Sequence, residues 1–160
     1  MSFNGSQDAG GAGRCCNGPS PPPLPMTPRE AFAAIALVAV ACDGTLDRQE
    51  AHALRGQLEG RHPYRQSSEE EMGTLFDGLL QRLRVDGWQQ LLAEALSALN
   101  APQQETALAM AAQLVHSDRV VEPEEQKLLA VMADQLLVGA DRAQQILEVI
   151  AILHRDSLAA

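Results

Sequence analysis

An all-α fold, a compact bundle of about seven helices, is what three features of this sequence predict. The 160-residue chain is rich in Ala, Leu, Gln and Glu and poor in aromatic and β-branched residues, which favours helix over sheet. No stretch alternates apolar and polar residues with the period of two that marks a half-buried strand. Helix-start signatures, punctuated by Gly and Pro, recur along the chain.

Residues 1 to 26 are expected to be a disordered tail. MSFNGSQDAGGAGRCCNGPSPPPLPM has almost nothing to bury. Its PSPPPLP segment favours polyproline II, either a stiff spacer or a ligand for a Pro-reading module. The adjacent Cys15 and Cys16 read as exposed thiols, with palmitoylation or thiol chemistry as the alternative. The helical domain is expected over residues 27 to 155, with 156 to 160 as a C-terminal tail.

Thr27-Pro28-Arg29-Glu30 is a capping box with Pro at the first helical position, so a first helix should run to about Cys42. Gly44 can end it in the left-handed conformation. Asp47-Arg48-Gln49-Glu50 is a second capping signature and opens a second helix to about Glu59. GRHPYRQ reads as a loop. Ser67 or Ser68 caps a third helix to about Leu83, and Asp86 or Gly87 opens a fourth, WQQLLAEALSAL, in which Trp88 reads as a core anchor. Asn100-Ala101-Pro102 opens a fifth, ending near Ser117. Pro123 starts a sixth to about Leu137, and Gly139 and Asp141 separate it from a seventh, to about Arg155.

Composition narrows the function. A net charge of −9 argues against nucleic acid, which needs clustered Lys and Arg, and suits cations or basic partners. The longest apolar run, Ala31 to Cys42, is too short to span a membrane and reads as a buried helix. No secretory signal is visible, and three cysteines make no disulfide framework, so a cytoplasmic location is expected.

The chemistry concentrates in ACDGTLDRQE. On an EF-hand frame, Asp43-Gly44 takes the fifth and sixth places, Asp47 the ninth and Glu50 the twelfth. Ala39 and Ala41 fall on the first and third places and supply no oxygen. A second stretch, HSDRVVEPEE, repeats the pattern: aligned on Asp43 and Asp118, Leu46 matches Val121, Asp47 matches Glu122 and Glu50 matches Glu125. Two helical hairpins packed about a pseudo-two-fold axis are expected, each carrying an acidic corner, with Ala-rich first helices that approach closely.

Turn chemistry explains part of each corner. Gly44 serves as a C-cap, Leu46 as a plug, and Asp47 and Glu50 as the two arms of a capping box. Asp43 has no such role on sequence grounds, and a carboxylate at a helix C-terminus opposes the dipole. The second copy replaces Gly44 by Arg119 and Asp47 by Glu122 while keeping the acids. Carboxylate placement for a hard cation accounts for that, with Asp43, Glu50, Asp118 and Glu125 as candidate ligands and Asp47 and Glu122 beside them.

An Ala-rich helix ending in Asp-Gly-x-Leu-x-x-x-Glu, repeated as Asp-x-x-Val-x-x-x-Glu, resembles the tellurite-resistance TerB family and its TerB-like relatives, over about residues 27 to 155. The resemblance implies an all-α domain of about seven helices with acids at the two corners. It also implies links to tellurite resistance, stress responses and divalent-metal binding (Ca²⁺, Mg²⁺ or Zn²⁺), without enzymatic activity. Protein partners, membrane-associated ones included, follow from it, and a second copy of the chain is a candidate partner. Arg119 departs from the commoner Asp-Gly. A metal-free interaction module using the acidic face and the Pro-rich tail is the alternative function.

His116 is a candidate ligand for a softer ion, with a dipole partner or surface residue as the simpler account. Cys42 beside His52 or His116 lacks an orienting group and an oxyanion hole, so a buried structural thiol is expected.

Overall fold

A computed structural model of the chain describes residues 25–117 and 120–159. The helices are α1 (Pro28–Ala41), α2 (Arg48–Glu59), α3 (Glu69–Asp86), α4 (Trp88–Ser97), α5 (Ala101–Val115), α6 (Pro123–Gln135) and α7 (Ala140–Leu153), and no strand occurs among the described residues. The expected tail falls outside the described residues apart from Pro25 and Met26, as do Cys15, Cys16, Asp118 and Arg119. No helix is long and apolar enough to cross a membrane among the described residues.

Caps set the starts of the helices. Thr27 Oγ1 accepts the Glu30 N–H at 3.2 Å, and Glu30 returns a carboxylate oxygen to the Thr27 N–H at 3.0 Å. Ser68 with Glu71, and Asn100 with Gln103, form the same reciprocal box on α3 and α5. Each box satisfies donors that a helix N-terminus leaves unpaired. Two boundaries differ from expectation. α3 continues three residues past Leu83, because the chain can turn only at Gly87, whose φ of 81° a side-chain-bearing residue rarely adopts. The expected loop GRHPYRQ contains a 3₁₀ turn, Tyr64–Gln66, fixed by the buried Tyr64 whose hydroxyl donates to the Arg29 carbonyl.

The core is built around α1 and α5. α1 contacts α2, α3, α4 and α5, and α5 contacts α6 and α7 as well. Along α1, Ala31, Ala33, Ala34, Ala36, Leu37, Ala39 and Ala41 are 0–1 % exposed, so the helix is enclosed nearly all round. Alanine's small side chain lets neighbouring backbones approach at the short end of the usual interhelical range. Trp88 is a correction: it opens α4 as expected but is half-buried, packing at the rim of the core.

Gln104, the buried polar residue of the core, is a device that sequence reasoning overlooked. Its Nε2 donates to the Leu96 carbonyl at 2.8 Å and the Leu99 carbonyl at 3.3 Å, while its Oε1 accepts the Leu137 N–H at 2.9 Å. One amide thereby satisfies the α4–α5 corner and ties it to the segment after α6. Gln104→Leu keeps the volume but leaves the Leu99 carbonyl and the Leu137 N–H without this partner, while the Leu96 carbonyl still accepts the Leu99 N–H; unfolding stability is expected to fall by about 1–2 kcal/mol in chemical denaturation. A loss below about 0.5 kcal/mol would contradict this assignment.

Candidate functional site

The first acidic corner is a tight connection between α1 and α2. Gly44, at φ 84°, donates its N–H to the Ala41 carbonyl at 2.9 Å. A Cβ there would lie 3.4 Å from Arg84 Cγ, and Arg84 Nε donates to the Gly44 carbonyl at 3.0 Å. α1 stays helical through Ala41, where an EF-hand loop would need its first ligands, so the corner is not an EF-hand.

Asp43 does more for the turn than its sequence position implies. Its Oδ1 accepts the Thr45 N–H at 2.9 Å, and the Thr45 hydroxyl lies 2.7 Å and 2.8 Å from its two oxygens. This Asx-type turn offsets the unfavourable dipole and corrects the view that the turn has no use for Asp43. The Thr45 N–H, then its hydroxyl, hold the Asp43 carboxyl below the usual carboxylate range. Asp47 and Glu50 form the expected box: Asp47 Oδ1 accepts the Glu50 N–H at 2.8 Å and Glu50 Oε2 accepts the Asp47 N–H at 2.9 Å.

The second corner joins α5 to α6. Glu122 stands at the N-cap, Pro123 opens the helix, and Glu125 Oε2 accepts the Glu122 N–H at 2.8 Å. Glu122 and Glu125 therefore hold the cap and third helical places that Asp47 and Glu50 hold in the first corner. Asp118 and Arg119 lie outside the described residues.

The corners come together. A cavity of about 310 Å³ is lined by Val40, Asp47, Gln49, Glu50, His52 and Ala53 from the first hairpin and by Leu114, Ser117 and Glu125 from the second. Glu50 and Glu125, both half-buried, thus face one space, while Asp43 and Glu122 are exposed and do not line it. The half-buried Cys42 feels both corners: burial first, then the charges of Asp43 and Glu125, push its thiol pKa up. The thiol stays protonated at neutral pH, which disfavours both nucleophilic and soft-metal roles. Its partial exposure corrects the expectation of a buried cysteine.

His116 lies elsewhere. As the C-cap of α5 it stacks on His154, the C-cap of α7, with ring centroids 5.6 Å apart and planes 20° from parallel. The histidine on the acidic cavity is His52, which the spacing argument did not place there.

Among the described residues, no three His, Cys, Asp or Glu side chains are grouped so as to hold a metal ion. The donor chemistry nonetheless fits a hard cation: the cavity presents carboxylate and hydroxyl oxygens, and the neighbouring thiol is protonated.

The two inner helices run in the same direction. The acidic cavity touches their ends, at Val40 and Leu114, whereas a second cleft touches their beginnings, at Pro28 and Pro102. Glu50 and Glu125, in the first turns of α2 and α6, consequently line one cavity at one end of the bundle.

The chain matches the family model described as "Tellurite resistance protein TerB" over residues 29–148. No curated protein and no solved structure matches it.

Proposed function

The chain belongs to the tellurite-resistance TerB family, and from that premise we propose that it binds one hard divalent cation, Ca²⁺ or Mg²⁺, between its two acidic corners. It acts as a non-enzymatic sensor or scaffold in a tellurite or metal stress response. The observation that carries the reading is the cavity shared by Glu50 and Glu125, residues 75 apart in sequence by their numbers.

In this reading Glu50 and Glu125 are the principal ligands and Asp47 a rim ligand. Asp43, on the same turn as Asp47, adds negative potential to that corner. The like charges of these acids repel one another, and a bound cation supplies the positive charge that offsets this repulsion. The cavity spans both hairpins, so occupancy couples the α1–α2 turn to the α5–α6 turn. That coupling gives a partner protein a cation-dependent surface to read. We read the two hairpins as copies of one unit, which the parallel course of α1 and α5 and the matched cap positions support. Zn²⁺ is the weaker candidate, because His52 is the cavity's one nitrogen ligand and the Cys42 thiol is protonated.

Calorimetric titration with Ca²⁺ and Mg²⁺ tests the reading. Saturable heat near one equivalent is expected. Its absence at millimolar cation would refute the cation site while leaving family membership intact.

A further inference from the structure

At the far end of α1 and α5, about 20 Å from the acidic cavity by helix rise, lies a cleft of about 540 Å³ with different chemistry. Its walls include Phe32, Tyr64 and Leu99, and two arginines, Arg29 and Arg61, line it with them. The volume falls within the range of pockets that enclose small organic ligands.

The arginines are held in place, and neither has a counter-charge among the described residues. Arg29 Nη2 donates to Ser67 Oγ at 2.7 Å, and its guanidinium carbon sits 5.7 Å from the Tyr64 ring centroid. Arg61 Nε donates to the Gln57 carbonyl at 3.1 Å, and its guanidinium carbon sits 6.0 Å from the Phe32 centroid. Arg55, Arg82 and Arg142 each pair with a carboxylate, but Arg29 and Arg61 have none among the described residues. What sets these two apart from the other arginines without an ion pair is that both line one cleft and both lie over an aromatic ring.

The aromatic wall is equally fixed. Phe32 and Tyr64 lie 6.5 Å apart with planes at 32°. The Tyr64 hydroxyl is committed to the Arg29 carbonyl, and burial pushes its pKa up to about 12, so it remains neutral. With one N–H of each guanidinium taken by Ser67 or by the Gln57 carbonyl, the remaining N–H groups are the donors for a planar carboxylate.

We propose that this cleft binds a carboxylate attached to an apolar or aromatic group. The apolar part packs on Phe32, Tyr64 and Leu99, and Arg29 and Arg61 receive the carboxylate. Two sources carry that chemistry, a free organic acid and the C-terminal residue of a peptide. The site is independent of the cation site and survives its failure.

The test titrates full-length ¹⁵N-labelled protein with 3-phenylpropionate, its uncharged amide, and the peptide Gly-Gly-Phe with a free or an amidated C-terminus. Saturable shifts centred on Phe32, Arg61 and Tyr64 are expected from at least one carboxylate, with roughly tenfold weaker binding of its amide. The tighter of the two acids identifies the source. The Arg29→Gln, Arg61→Gln double variant should weaken carboxylate binding by about tenfold or more and leave amide binding unchanged. If losing the Ser67 contact unfolds that variant, Arg61→Gln alone carries the test, with about threefold weaker binding expected. Equal binding of acid and amide, shifts located elsewhere, absence of binding by either acid, or undiminished acid binding in the folded variant would overturn the proposal.

Discussion

Leu37→Ala is expected to destabilise the fold by about 3–4 kcal/mol, in the middle of the range for buried leucines. Leu37 is fully buried in the middle of α1, and its flanking residues Ala36 and Val38 are fully buried too. A cavity opened there has little means of closing, because α1 is packed by α2, α3, α4 and α5. Residual cavity volume sets the cost of such truncations. Urea denaturation is the measurement, with a lower midpoint and an unchanged slope expected. A cost below about 1.5 kcal/mol would mean that neighbouring helices collapse onto α1, and that α1 is not the rigid centre described above.

Replacing Glu50 and Glu125 together by Gln is expected to weaken Ca²⁺ or Mg²⁺ binding by about a hundredfold or more, since a hard cation loses both principal carboxylates. The variant separates binding from folding. Both carboxylates accept a cap N–H, from Asp47 and from Glu122, and glutamine can replace glutamate in a capping box. The variant's thermal midpoint without added cation is the baseline for the comparison. The midpoint rise that Ca²⁺ gives the parent should disappear. Equal stabilisation of parent and variant by the cation would place the ligands elsewhere.

The helices were legible because their signals are local. Thr27, Asp47, Ser68 and Asn100 each sit at a cap with its partner three residues on, and the structure uses all four. The near-complete burial of α1 is legible in the apolar run from Ala31 to Cys42, of which Phe32, Val40 and Cys42 alone are half-buried. The 3₁₀ turn at Tyr64 was not, since it depends on the contact of Tyr64 with Arg29, 35 positions away. The role of Asp43 in the turn depends on Thr45, two residues on, which carries no motif of its own.

Glu50 and Glu125, which line the cavity, fall at matched places of the repeated Asp-to-Glu spacing. The division among the acids was not legible there. Glu50 and Glu125 line the shared cavity while Asp43 and Glu122 do not, a distinction set by the parallel packing of α1 against α5. His52 faces the cavity from the second turn of α2, and no motif marks it. The carboxylate cleft draws on Arg29 and Phe32 from α1, Arg61 and Tyr64 from the segment after α2, and Leu99 from the α4–α5 corner. The one sequence signal was the basic and aromatic make-up of GRHPYRQ, which a loop assignment passes over.

The shared cation site is tested most directly by Mn²⁺, which accepts the same oxygen ligands as Mg²⁺ and Ca²⁺ and broadens nearby NMR signals. Substoichiometric Mn²⁺ should broaden the amides of residues 47–53 and 122–126 together, and excess Mg²⁺ or Ca²⁺ should restore both sets in parallel. Broadening confined to one corner, independent restoration of the two, or no broadening at either would contradict a single site between Glu50 and Glu125.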